Sequence, residues 1–162
     1  MPNWCENRIT ISGDTEDIAK FREVMKGLDH HGKESIFSFN RLLPMPVELV
    51  NTTSPPTIKE TQTECDTYNN DHHATAVTQE TINNRQEEYG ASDWYQWATI
   101  KWGTKWQPTD IELEDNTDYL VYCFDTAWGP PEGIHSAIIE QFPKLEVSWF
   151  YDDPGMEFCG YL

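Results

Sequence analysis

The chain has 162 residues and a mass of 18.8 kDa, enough to bury a core without disulfide staples and short enough for one domain. Its 28 acidic residues against 11 basic ones give a formal net charge of −17; with no basic block to displace counterions from phosphates, direct binding of DNA or RNA is disfavoured. Mean hydropathy of −0.67 and the lack of a long apolar run exclude a membrane-spanning helix, and MPNWCENRITI has no charged region followed by an apolar one, so a cytoplasmic protein is expected.

Residues 3–11 predict a strand, with Asn7, Ile9 and Ile11 on one side and Glu6, Arg8 and Thr10 on the other. Asp14 is placed to cap a helix whose Ile18, Phe21, Met25 and Leu28 fall at helical spacing, and Gly27 marks its stop. His30 and His31, beyond that helix, are expected to cap it at the surface, where a cationic ring favours the negative dipole end. SIFSFN, 35–40, predicts a second strand running into LLPMP, whose prolines bar helix.

From about 50 to 90 the chain turns polar and reads as an insertion, loop-like at first and helical after Thr78. WYQWATIKWGTKW follows, holding four of the seven tryptophans. Ser92 or Asp93 caps a helix there, with Trp94, Trp97 and Lys101 on one face, Tyr95 and Trp102 on another, and Gly103 at the left-handed terminal position. Rings on two faces of a helix imply burial on two sides. Lys105, between Trp102 and Trp106, is placed for a cation–π contact. Asp110, Glu112, Glu114, Asp115 and Asp118 interleave with Ile111 and Leu113, as in an edge strand whose charges guard against pairing. Residues 119–128 predict a central strand, Pro130 and Pro131 open a helix carrying Ile134, Ile138 and Phe142, and 145–153 form the last full strand, with GMEFCGYL offering an edge.

The order is β-α-β, a long insertion, then β-α-β. It predicts an α+β, ferredoxin-like split β-α-β fold: a four-stranded antiparallel sheet with two helices on one face. A single domain, 1–162, carries an insertion at about 50–118 that includes the Trp-rich helix, which is expected to cover the sheet's helix-free face. The tail or an uncovered sheet edge leaves room for two copies to pair.

Five segments carry a family resemblance: MPNWCENRITI, FSFNRLLPMP, WGTKW, FDTAWGPP and YDDPGMEFCGYL. In these the chain resembles the YubB ferredoxin-like family, small proteins of phages, plasmids and prophage regions; residues 51–90 have no counterpart in it. The resemblance implies a ferredoxin-like fold with no iron–sulfur cluster and an accessory gene of a mobile element, a setting in which counter-defence proteins are common.

Little in the sequence points to catalysis. Cys5, Cys65, Cys123 and Cys159 show no CxxC spacing and read as buried thiols. Cys65, Asp66, Asp71, His72 and His73 share a polar segment but match no zinc pattern, so neither metal nor cofactor is expected. No GxSxG or phosphate-cradling glycine loop occurs, and no cysteine stands in a recognisable setting with His135. The carboxylate of Asp125, in FDTAWGPP, either accepts from the amides of Thr126 or Ala127 or, with Asn40 and Lys105 near it in the family architecture, lines a polar pocket.

These features lead to a non-enzymatic acidic interaction protein of a phage or mobile element, in the host cytoplasm if phage-encoded. It is expected to act as a counter-defence inhibitor that imitates nucleic acid and occupies a basic surface of a host protein through Asp110, Glu112, Glu114, Asp115 and Asp118. The alternative is a small-ligand or nucleotide-binding module using Asn40, Trp102, Lys105, Trp106, Asp125 and Trp128.

Overall fold

The computed structural model describes residues 3–162. The main strands are β1 (Trp4–Ser12), β2 (Thr109–Asp115), β3 (Tyr119–Ala127), β4 (Glu146–Asp153) and β5 (Phe158–Tyr161). The helices are α1 (Thr15–Met25), α2 (Phe39–Leu42), α3 (Val47–Val50), α4 (Gln62–His72), α5 (Gln79–Tyr89), α6 (Trp94–Lys101) and α7 (Glu132–Gln141). The chain divides into two compact units, Met1–Pro44 with Ile100–Leu162, and Met45–Thr99. The insertion expected at about 50–118 thus corresponds to a unit ending at Thr99, and the acidic strand β2 belongs with the sheet.

In the first unit the sheet has five strands rather than the four expected, in the order β2-β3-β1-β4-β5, each pair antiparallel. Strict alternation in β1 buries Cys5, Asn7, Ile9 and Ile11. Across the ladders Ile9 lies opposite Tyr122 and Trp149, all three with no exposed surface. Onto this side α1 delivers Ile18, Phe21 and Met25, and α7 delivers Ile134, Ala137 and Ile138. Phe21 meets Tyr122 and Phe142 edge-on, and His135 meets Trp149, so both helices share one face.

Residues 35–40 do not form a sheet strand. Ser35 joins Glu34 in a two-residue ladder with Gly27–Leu28, and the chain then bends into α2. Phe37 and Phe39 decide this: both are buried, Phe37 against Tyr122 and Phe124, Phe39 against Trp102 and Phe124. Their backbone is satisfied elsewhere, Ser38 N–H donating to Met25 O at 2.9 Å and Phe39 N–H to Gln107 Oε1 at 2.8 Å.

One buried polar cluster ties the central strands together. Asn7 donates from Nδ2 to Cys5 O (2.9 Å) and Thr126 Oγ1 (2.8 Å), and its Oδ1 accepts from Trp149 Nε1 at 3.0 Å. Thr126 Oγ1 donates onward to Gly129 O at 2.7 Å, holding the turn that leads to α7. The turn is therefore anchored by the threonine and not by the carboxylate of Asp125. At the start of α7, Gly133 lies against the end of α6: a Cβ there would come within 2.8 Å of Lys101 C and 3.2 Å of Trp102 C.

The second unit is helical, including the part from about 50 whose polar composition predicts loop. Its α4 begins with a capping box in which Thr61 accepts from Glu64 N–H and Glu64 reaches back to the Thr61 backbone. The start of α5 follows Thr78, whose side chain accepts from Thr81 N–H, and α5 stops at Gly90 with φ 74°. Asn69 bridges to Ala76 through its side chain, Ile58–Lys59 pairs in parallel with Val77–Thr78, and Cys65 and Ile82 are buried. Asp93 caps α6, its Oδ1 accepting from Gln96 N–H at 3.0 Å.

Two substitutions test this framework. Asn7→Ala strands the buried indole N–H of Trp149 and should cost about 1–3 kcal/mol in urea denaturation. Gly133→Ala should cost a similar amount, about 1–3 kcal/mol, because main-chain atoms cannot step aside for the new methyl; a midpoint unchanged from wild type would remove the close approach of Gly133 to the backbone of Lys101 and Trp102.

Candidate functional site

The side of the sheet away from α1 and α7 is formed by the alternate residues of the same strands. Glu6, Arg8, Asp110, Glu112, Cys123, Asp125, Phe150 and Asp152 line one shallow depression there. Glu6 is the cross-strand partner of both Asp125 on β3 and Asp152 on β4, so three carboxylates stand in a row across three adjacent strands. Directly opposed side chains in antiparallel strands have Cβ atoms about 4.5–5.5 Å apart, where like charges repel. A break in register between Thr109 and Glu112, with Asp110 at φ 51°, brings Asp110 to the rim of the same depression. Burial, then Glu6, then Asp110 raise the pKa of Asp125 above the ordinary carboxylate value. Arg8, one strand position beyond Glu6, lies opposite Cys123 and Phe150.

Glu6, Arg8 and Glu112 are exposed on this face. The rings of 94–106 go separate ways. Trp94 and Trp97 lie in the second unit. Trp102 is fully buried on the helix side, beside Phe39 and His30, its Nε1 donating to Leu43 O at 2.9 Å. Trp106 remains 38% exposed and pairs with Trp4, at the end of β1, with centroids 6.1 Å apart. His30 is no cationic helix cap: burial first, then His31, push its pKa down to about 4.

The two most specific motifs meet in the first unit. Thr104, from WGTKW, donates to Ala127 O at 2.9 Å, in FDTAWGPP. Lys105 Nζ lies over the ring of Trp106 at 3.8 Å and over that of Trp128 at 3.9 Å. Of the residues suggested as a ligand pocket, Lys105, Trp106 and Trp128 therefore come together, whereas Trp102 is core, Asp125 belongs to the acidic face and Asn40 is half-buried on α2. The ammonium of Lys105 occupies a face of each indole, the position a flat ligand would need.

The five acids suggested for partner binding also divide. Asp110 and Glu112 line the depression. Glu114 accepts from Tyr119 Oη (2.9 Å) and Asn116 Nδ2 (3.3 Å). Asp115 turns to the helix side and pairs with Arg22 of α1, and Asp118 sits exposed in the β2–β3 turn, its carbonyl accepting from Gly13 N–H at 3.2 Å. Glu6 and Asp152, which complete the acidic row, were not singled out from the sequence; the alternation of NWCENRITI was the signal that places Glu6.

In the second unit, Cys65 is buried in α4, Asp66 accepts from Gln62 Nε2 at 2.8 Å and His72 stacks on Tyr68. Among the described residues no three His, Cys, Asp or Glu side chains are grouped to hold a metal ion, and no helix is long and apolar enough to cross a membrane. Cys5 and Cys65 are buried as expected, but Cys123 is half-buried and Cys159 exposed. Burial, ahead of the Asp153 charge, pushes the Cys5 thiol up to about 12, which keeps it protonated and unreactive.

An antiparallel sheet with its helices on one face makes this an α+β protein with a ferredoxin-like domain. Residues 101–162 match the family model described as "Ferredoxin-like domain in Api92-like protein". The chain is similar over 99% of its length to the crystal structure of protein api92 from Yersinia pseudotuberculosis, covering 93% of that chain with a TM-score of 0.57. Sequence identity is 14%, so the likeness is one of fold. No curated protein matches the chain.

The raised pKa of Asp125 has a testable sign. Its folded-state value lies above its unfolded one, so its contribution to stability is full below the unfolded pKa and is lost as pH rises through the folded pKa. Asp125→Asn mimics the protonated form. It should be more stable than wild type at neutral pH, and the gap should close on acidification to below the ordinary carboxylate value, as read by thermal melts across pH.

Proposed function

We propose that the protein is a non-enzymatic interaction module whose helix-free sheet face receives a basic surface of another protein. The observation that carries this reading is the depression in which Glu6, Asp110, Glu112, Asp125 and Asp152 gather around Arg8. Carboxylates opposed across neighbouring strands repel one another, and a cationic partner relieves that repulsion on binding. The net charge of −17 adds a long-range field that speeds encounter with a basic target and repels nucleic acid. A protein target that itself binds nucleic acid fits both properties. With the resemblance to proteins of phages and plasmids, this supports a mobile-element accessory protein that inhibits such a host factor by imitating its polyanionic ligand.

The test is capture of a partner from host lysate at low and high salt, followed by competition with double-stranded DNA. The triple variant Glu6→Lys, Glu112→Lys, Asp152→Lys should weaken association by about tenfold or more and flatten its salt dependence. DNA should displace the protein. Association with the same partner that is indifferent to salt, to the charge reversals and to DNA refutes the reading.

A further inference from the structure

The two edges of the five-stranded sheet are built differently. The β2 edge is guarded by charge and distortion: Asp110, Glu112, Glu114 and Asp115 line it, and its register breaks between Thr109 and Glu112. The β5 edge has neither device. Its sequence, Phe158-Cys159-Gly160-Tyr161, carries no charge and no proline in a chain of net charge −17, and its pairing with β4 runs without a break. Tyr161 is 72% and Phe158 43% exposed.

The hydrogen-bond pattern shows which main-chain groups of β5 face outward. Leu162 N–H donates to Trp149 O at 3.0 Å, which places residue 162 in a hydrogen-bonded pair with β4. Because antiparallel pairs alternate, Gly160 opposite Tyr151 and Phe158 opposite Asp153 also turn their main chain inward. Cys159 and Tyr161 then turn their N–H and C=O groups away from the sheet, two residues apart. Such an edge is complementary to itself. With a two-fold axis through Gly160, perpendicular to the sheet, Cys159 of one chain lies opposite Tyr161 of the other and the reverse, each pair exchanging both of its hydrogen bonds. Gly160 then faces Gly160 at the non-hydrogen-bonded position, where the strands come closest, and Phe158 faces Leu162. A register shifted by two, centred on Cys159, would instead set Tyr161 against Glu157, which has left the strand at φ 58°.

We propose that β5 is a self-recognition edge, through which two copies of this chain join their sheets by antiparallel β5–β5 pairing centred on Gly160. The occupant is a second copy because the edge's outward groups and its uncharged stretch match themselves in that register and leave Glu157 outside it. The proposal does not rest on the acidic face, and its salt response has the opposite sign. Two chains of like charge repel, so added salt should favour dimer formation, whereas it weakens binding of a basic partner.

Sedimentation equilibrium of the intact chain reads this directly. The association constant should rise about tenfold or more between about 0.1 M and 1 M salt. Tyr161→Pro removes an outward N–H without touching the pairing with β4, so it should yield monomer with an unchanged circular dichroism spectrum. Tyr161→Cys brings position 161 against Cys159 of the other copy; diamide oxidation should give a covalent dimer that is lost when Cys159→Ser is added. The cross-link decides the matter if the proline variant fails to fold. Monomer at every salt concentration overturns the proposal, and so does a dimer that survives Tyr161→Pro and yields no 159–161 cross-link.

Discussion

The side-chain amide of Asn7 is the point on which the first unit depends. Nearly devoid of solvent, it accepts from the Trp149 indole and donates to Thr126, so a single residue of β1 is bonded to both flanking strands. Thr126 passes the connection to Gly129 and the turn before α7. Every donor here is buried, and a buried donor without a partner costs more than a satisfied one contributes. That asymmetry selects one register for β3, β1 and β4. A slip by one residue would exchange the core and open faces and leave the indole N–H stranded. The same register therefore decides which carboxylates face one another across the open side.

The two faces of the sheet follow from that choice in opposite ways. One face meets α1 and α7 through closely spaced rings, and its energetics are those of apolar burial. The other gathers Glu6, Asp125 and Asp152 in one row, an arrangement that local electrostatics disfavours. Burial first, and the neighbouring Glu6 next, hold the pKa of Asp125 in this row above the ordinary carboxylate value.

Much of the architecture is legible in local pattern. The alternation of NWCENRITI yields β1, the apolar spacing around Phe21 yields α1, and the double proline before Glu132 yields the start of α7. The capping box Thr61–Glu64 was also legible, but the polar composition around it reads as loop, because α4 buries only Cys65 and gives almost no periodic apolar signal. SIFSFN misleads for a different reason. Its alternating phenylalanines fit a strand, and only the tertiary positions of Tyr122, Phe124 and Trp102 turn it into a bend and a short helix. The acidic row belongs to the same class: Glu6, Asp125 and Asp152 are far apart in sequence, and nothing local announces that cross-strand register sets them side by side. The tryptophan-rich segment reads as one object and proves to be several, since its rings are shared between two compact units and both buried and exposed settings.

The bond from the Trp102 indole to the Leu43 carbonyl has a consequence for how such a chain can change over time. Leu43 stands just before the chain departs from the first unit, and Trp102 just after its return at Ile100, so one hydrogen bond staples the two ends of the excursion. Beyond that staple the closure entropy of a loop grows only slowly with its length. Closure therefore sets little limit on the length of the excursion that leaves after Leu43 and returns before Trp102. The excursion has the character of a graft on a permanent stem.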